Sequence, residues 1–235
     1  MSGKAPASFC VMVPAFNEAE RIAQVLEGCR RHAEHVVVID DGSTDETGNI
    51  ARAAGCEVIR HEKNMGKGAS LISGFHHARD RGFEAIITLD ADGQHDPDCI
   101  PRFVDTWRRT RIPALIGNRF WDRDKIPLIR RWTNQFMSAW LCRVMKKYVP
   151  DTQCGFRLLQ TSLLPYLPVS SQRFAMESEI LLQLAMHGFR MDSIRIPVVY
   201  AGQTSRIRPV VDSARFVAML LRYIKPSAGR TSSSR

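Results

Sequence analysis

Four short apolar runs constrain this chain more than any other feature: residues 9–13 (FCVMV), 35–39 (HVVVI), 85–89 (AIITL) and 114–117 (ALIG). Each is continuous rather than alternating, the pattern of a strand buried on both faces. Segments of helical length and helical period separate them. In 18–32, Ile22, Val25, Leu26 and Cys29 fall on one face, and Asn17 is placed to cap the helix. Ser43-Thr44-Asp45-Glu46 fits a capping box for a second helix, which runs to about Ala54 and stops at Gly55. A short strand is expected over 56–60. Further helices are expected from Asn64 through Ala78 and from Pro97 to about Thr110. Strand and helix in alternation predict an α/β fold, a mostly parallel sheet with helices on both faces.

In such sheets ligands sit at the carboxyl ends of the strands. Three polar clusters lie at those ends: Pro14 to Glu18, Asp40-Asp41, and Asp90-Ala91-Asp92-Gly93-Gln94. Two carboxylates one residue apart, emerging from an apolar strand, repel unless something neutralises them. A divalent cation does so, and hard oxygen ligands suit Mg2+ or Mn2+. The plainer alternative is a solvated acidic turn. With 33 Lys and Arg against 24 Asp and Glu, the net charge is +9. That surplus favours a partner carrying phosphate, whether nucleotide, nucleic acid or an anionic membrane surface. A cation at Asp90 and Asp92 would bridge the phosphates of a nucleotide diphosphate, with Asp40 or Asp41 accepting from base or ribose. Lys67, between two glycines at a helix start, could approach a phosphate or a base. The full Walker spacing and any nucleic-acid module are missing.

The six cysteines are scattered, without C-x-x-C or zinc spacing, and read as reduced thiols of a cytosolic protein. The first residues lack the apolar region of a signal peptide, and no run reaches the roughly 18–20 apolar residues of a membrane span. In the second half Phe136, Met137, Trp140, Leu141, Val144, Met145, Tyr148 and Val149 form a stripe at helical spacing, flanked by Arg143, Lys146 and Lys147. It reads either as core or as a helix lying on anionic lipid. A helix over 176–187, a strand over 190–200 broken by Pro197, and a last apolar helix over 214–224 follow. Domain organisation is read as one unit over 1–225, with a strand-and-helix half that carries the polar strand ends (8–117), a partly helical second half (118–225), and a disordered basic tail, 226–235.

Five motifs together, VPAFNEAERI (13–22), VIDDGSTDET (38–47), NMGKGAS (64–70), LDADGQHDP (89–97) and DTQCGFRL (151–158), resemble family 2 glycosyltransferases of the GT-A fold, with closest likeness to the polyprenyl- and dolichyl-phosphate sugar synthases. The resemblance spans about residues 8–210. It implies that Pro14, Ala15, Asn17, Glu18 and Asp41 line the base and ribose, and that Asp90 and Asp92, beside Ala91, hold metal and diphosphate, with Gln94 as third metal ligand. Arg119 matches a basic residue near the acceptor, Arg157 belongs to a C-G-F-[RK] turn, and Ser205-Arg206 resembles a pair that meets phosphates. For Arg130 and Arg131, a solvated basic face stands beside an acceptor-phosphate role.

The implied reaction moves a hexose, glucose or mannose, from a UDP- or GDP-sugar to a lipid phosphate with inversion. The protein would then act peripherally at the cytoplasmic membrane face. A phosphate acceptor is already ionised at pH 7 and needs positive groups rather than a base. A hydroxyl acceptor would need one, and Glu177 or Glu179 is then the candidate; otherwise both are acids favoured by a helix's first turn. A sugar-nucleotide or nucleic-acid binder without turnover is the reading from another class. The residues do not choose between UDP and GDP.

Overall fold

The computed structural model describes residues 8–121, 128–167, 175–199, 216–221 and 223. Seven strands form one sheet: β1 Phe9–Ala15, β2 Val36–Asp40, β3 Glu57–Arg60, β4 Ala85–Thr88, β5 Ala114–Asn118, β6 Arg157–Gln160 and β7 Met191–Arg195, in the order β3-β2-β1-β4-β6-β5-β7. All pairings are parallel except those of β6, which runs antiparallel to β4 and β5. The helices packed around them are α1 Ile22–Arg30, α2 Thr47–Ala53, α3 Lys67–Asp80, α4 Ile100–Thr110, α5 Leu128–Met145 and α6 Ala175–Met186.

The continuous apolar runs act as expected of central strands. Val11, Val13, Val36, Val38 and Ile87 point into one core with residues of α1, α4 and α5. The alternate positions, Cys10, Met12, Val37, Ile39 and Ile86, meet α3 and α6 on the opposite face. Helix α3 crosses β1 at Gly74, where a Cβ would meet Met12 Sδ at 1.7 Å. Nothing larger than glycine fits there, so this contact sets how closely the helix that begins at Lys67 lies on the sheet.

Several boundaries differ from the sequence reading. Helix α1 starts at Ile22 rather than 18, because Asn17 turns into the left-handed region (φ 53°) and does not cap it. Asn17 instead donates its N–H to Ser43 Oγ at 3.1 Å and accepts from Thr44 N at 2.8 Å. The capping box does not form either. Helix α2 begins at Thr47, whose N–H donates to Asp45 Oδ1 at 3.0 Å, and Ser43 N donates to Asp40 Oδ1 at 2.9 Å. Both segments thus use their polar side chains to tie the end of β1 to the end of β2.

Strand β6 was not expected, since buried Arg157 interrupts its apolar run. Strand β7 ends at Arg195, short of the expected 200. The stripe on α5 divides: Met137, Leu141 and Met145 are core, while Phe136 and Trp140 are exposed. Of the last expected helix, residues 216–221 are helical. Ser205, Arg206 and the tail 226–235 lie outside the described residues, as does the side chain of Arg130.

Candidate active site

The sheet changes direction at β1, which has β2 on one side and β4 on the other. The crevice beyond the carboxyl ends of β1, β2 and β4 is where a sheet of this kind holds a ligand. Pro14, Ala15, Asn17 and Glu18 lie at the end of β1, and Asp40-Asp41 at the end of β2. Half-buried Asp90, buried Ala91 and partly exposed Asp92 follow β4. The three clusters expected to converge do so.

The two acids after β2 have different tasks. Asp40 is fully buried and ion-paired with Arg60 at 2.7 Å, and it also accepts from Ser43 N. Gly48 is needed beside it, since a Cβ there would lie 2.5 Å from Asp40 Oδ2. Asp41 holds the next loop: its carboxylate accepts from Met65 N at 2.9 Å and Gly66 N at 2.8 Å. His61 Nδ1 lies 2.7 Å from Asp41 Oδ1, and His61 Nε2 lies 2.9 Å from Ser73 Oγ. Asp41 therefore fixes the backbone immediately before Lys67.

Lys67 opens α3 and reaches across to β4 and α6. Its Nζ lies 2.6 Å from Asp90 Oδ1 and 2.7 Å from Glu177 Oε1. Burial of itself depresses the ammonium pKa, but the two carboxylates outweigh it and hold Lys67 above lysine's ordinary value. For Asp90, burial raises the pKa, yet Lys67 and His95 hold the carboxyl well below the usual range. His95 Nε2 is 3.7 Å from Asp90 Oδ2. Gly155 lets Asp90 sit here, because a Cβ at 155 would lie 2.5 Å from Asp90 Oδ2. Two buried atoms among these groups carry no hydrogen-bond partner, Glu177 Oε2 and His95 Nδ1. A small cavity bounded by Lys67, Thr88, Gly155, Arg157 and Glu177 opens beside them.

Asp92 follows two residues after Asp90. It stands on a turn with Gly93 at φ 75°, and its Oδ1 accepts from Gln94 N at 2.9 Å. Among the described residues no three His, Cys, Asp or Glu side chains gather into a ready-made cation cage. The arrangement suits Mg2+ or Mn2+ nonetheless, since such ions bind through one or two carboxylates and complete their shell with phosphate oxygens and water.

The expected basic residues are distributed differently. Arg119 is held by Asp151, with Nε 2.7 Å from Oδ2 and Nη2 3.0 Å from Oδ1. Arg157 is buried and structural: Nε, Nη1 and Nη2 donate to the carbonyls of Cys154, Glu177 and Thr152 at 2.8, 2.8 and 2.9 Å. Burial lowers its pKa, and Glu177 opposes that shift. Arg131 is half-buried on α5. Glu179 is fully buried and accepts from Tyr223 Oη at 2.7 Å.

Residues 10–164 match the model of Glycosyl transferase family 2. The chain is a member of that family. A protein of Methanocaldococcus jannaschii is 32% identical over 81% of each chain. The UDP-N-acetylglucosamine–dolichyl-phosphate N-acetylglucosaminyltransferase of Methanococcus voltae is 26% identical, over 81% of this chain and 85% of its own. Undecaprenyl-phosphate mannosyltransferase of Micrococcus luteus is 24% identical, over 80% and 82%. Glucosyl-3-phosphoglycerate synthase from Mycobacterium tuberculosis, solved with Mn2+, UDP and phosphoglyceric acid, superposes with a TM-score of 0.75 at 21% identity, over 96% of this chain and 82% of that one. The fold is thus GT-A, as the motifs implied, and the family 2 enzyme is a glycosyltransferase.

Sequence reasoning missed His61 and His95 in this family 2 site, and the bridge from Lys67 to Glu177. A histidine directly after β3 and another three residues beyond Asp92 were the available signals. Neither motif position says what its ring will touch.

Proposed function

We propose that this glycosyltransferase moves a hexose, glucose or mannose, from a UDP- or GDP-sugar to the phosphate of a polyprenyl or dolichyl phosphate, with inversion and with Mg2+ or Mn2+. The observation that carries the acceptor class is the state of the two acids that a hydroxyl acceptor would need. Glu177 is paired with Lys67, and Glu179 is buried against Tyr223. A general base must reach the proton it removes. An ionised phosphate oxygen attacks without one. The acceptors printed in the names of the Methanococcus and Micrococcus relatives support the same class.

In this reading Pro14, Ala15, Asn17, Glu18 and Asp41 line the base and ribose. Lys67 keeps Asp90 ionised, and Asp90 and Asp92, with Gln94 beside them, would hold the dication. The dication supplies positive charge to the departing diphosphate. Arg119, Arg131 and Arg206 are the basic residues assigned to acceptor and phosphates, and the enzyme works at the cytoplasmic face of an anionic membrane.

The test is a reconstituted transfer assay with UDP-glucose or GDP-mannose, Mg2+, Mn2+ or chelator, and a polyprenyl phosphate, read by mass spectrometry of the lipid. A phosphate-linked hexose should form with one donor, vanish with chelator, and be lost in Asp92→Ala. Turnover in chelator would overturn the metal assignment. Transfer to the phosphate-free polyprenol but not to its phosphate would overturn the acceptor.

A further inference from the structure

Helix α5 turns a line of aromatic side chains away from the core. Trp132, Phe136 and Trp140 recur every fourth residue and are 73%, 55% and 49% exposed, while Met137, Leu141 and Met145 of the same helix are buried. The rings of Phe136 and Trp140 lie 6.1 Å apart, and Tyr148, just past the helix, is 83% exposed. Spacing of four keeps the three on one helical face. Large aromatics usually bury most of their surface, so a line of three left open marks a contact face.

Its charge says which contact. Residues 126–150 contain Arg130, Arg131, Arg143, Lys146 and Lys147 and no Asp or Glu. Arg143 and Lys146 are exposed. Apposing two copies of this helix would set its cations against each other with no acid in 126–150 to pair them, which disfavours a dimer. An anionic bilayer surface fits both features, because indole and phenol rings settle at headgroup depth and Lys and Arg meet lipid phosphates. Among the described residues no helix is long and apolar enough to cross a membrane, so the contact lies along the surface. The inner side of α5 joins the site: Ser138 Oγ lies 2.9 Å from Thr152 Oγ1, and the Thr152 carbonyl accepts from Arg157.

We propose that α5 is the lipid-docking face, with Trp132, Phe136, Trp140 and Tyr148 entering the headgroup region of an anionic bilayer while Arg143 and Lys146 meet its phosphates. This rests on the reading of a lipid-phosphate acceptor and names the surface that delivers the enzyme to it.

The test is vesicle flotation with phosphatidylcholine alone against phosphatidylcholine mixed with phosphatidylglycerol, with tryptophan emission followed on the wild-type protein. Binding should require phosphatidylglycerol, weaken with salt and shift the emission to the blue. The triple variant Trp132→Ala/Phe136→Ala/Trp140→Ala should bind at least about tenfold less well. Arg143→Gln/Lys146→Gln should bind on the order of 30-fold less well, at about 1 kcal/mol per cation. Both should retain wild-type transfer to a short-chain, water-soluble prenyl phosphate. Equal binding by wild type and triple variant, absence of any wild-type binding or emission shift, or a wild-type dimer that the triple variant converts to monomer would overturn the proposal. Wild-type docking without transfer to any prenyl phosphate would instead refute the acceptor reading and leave the docking face standing.

Discussion

Replacing Lys67 with Met tests the centre of the site, because it removes the ammonium that lies 2.6 Å from Asp90 and 2.7 Å from Glu177 while keeping an unbranched apolar stem. The two carboxylate oxygens, both in contact with one nitrogen, lie within about 5 Å of each other and would repel by about 3 kcal/mol at an effective dielectric near 20. Removing one member of a buried pair costs about 3–5 kcal/mol. Lys67 and Asp90 each keep 25% of their side-chain surface exposed, which places this site at the lower end. A loss of about 3 kcal/mol lowers Tm by about 6–12 °C in a chain of this size.

The pH dependence separates this cause from lost packing. In the wild type, the depressed Asp90 contributes stability that is present above its ordinary value of 3.8 and lost as pH falls below it. The raised Lys67 contributes stability that is full below 10.5 and lost as pH climbs above it. Between pH 5 and 8 the triad's contribution in the wild type is therefore flat. In Lys67→Met one carboxylate takes up a proton, so the deficit should be largest at pH 8 and shrink toward pH 5. Glu177→Gln in the Lys67→Met background removes the second charge and should restore most of the Tm at pH 8. Thermal denaturation of wild type, Lys67→Met, Glu177→Gln and the double variant across this range closes the cycle. A Lys67→Met variant within about 2 °C of wild type at pH 8, or a deficit independent of pH, would refute the electrostatic account.

Three further substitutions probe the supports of the site. Gly155→Ala puts a methyl 2.5 Å from Asp90 Oδ2, so kcat/KM for the donor should fall at least about tenfold, by about 1.4 kcal/mol, in steady-state assays. Arg157→Met leaves the carbonyls of Cys154, Thr152 and Glu177 without their donor and should cost about 3–5 kcal/mol in chemical denaturation. His61→Ala releases Asp41 from its link to Ser73 and should raise the donor KM by about tenfold while kcat stays near wild type. A fall in kcat with unchanged KM would show that the ring has another task.

Strands β1, β2, β4 and β5 were legible because each is buried on both faces and so carries an unbroken apolar run. Strand β6 was not, because it opens on a charged residue, Arg157, and is only four residues long; the charge is satisfied by three carbonyls that only the folded chain brings together. The caps at Asn17 and Ser43 failed for a related reason. Local rules assign those side chains to their own helices, whereas tertiary structure uses them to join the β1 and β2 loops. The aromatic stripe was legible as a helix but not as two faces, since a mixed row of Phe, Met, Trp and Leu does not say which members meet the sheet. At the site, Asp90 and Asp92 stood out from spacing alone. Glu177, more than a hundred residues beyond Lys67, could be read as a candidate base or as an acid in a first helical turn, but not as the partner of Lys67.

What the structure adds is a mechanical link between the two ends of the donor crevice. Asp41 anchors the amides of Met65 and Gly66, and the next residue, Lys67, anchors Asp90. Close packing of α3 on β1 at Gly74 leaves this helix little freedom to slide. Asp41, proposed to meet the base and ribose, and Asp90, proposed to hold the metal, are therefore held at a fixed separation by one short loop and one helix start. A carboxylate at 41 accepts from two amides and faces a histidine, whereas an asparagine there has a single acceptor oxygen and turns an N–H2 toward one of those donors. Asp41→Asn would loosen the loop and with it Lys67, so damage at Asp41 would reach Asp90 without any change in the residues that stand there.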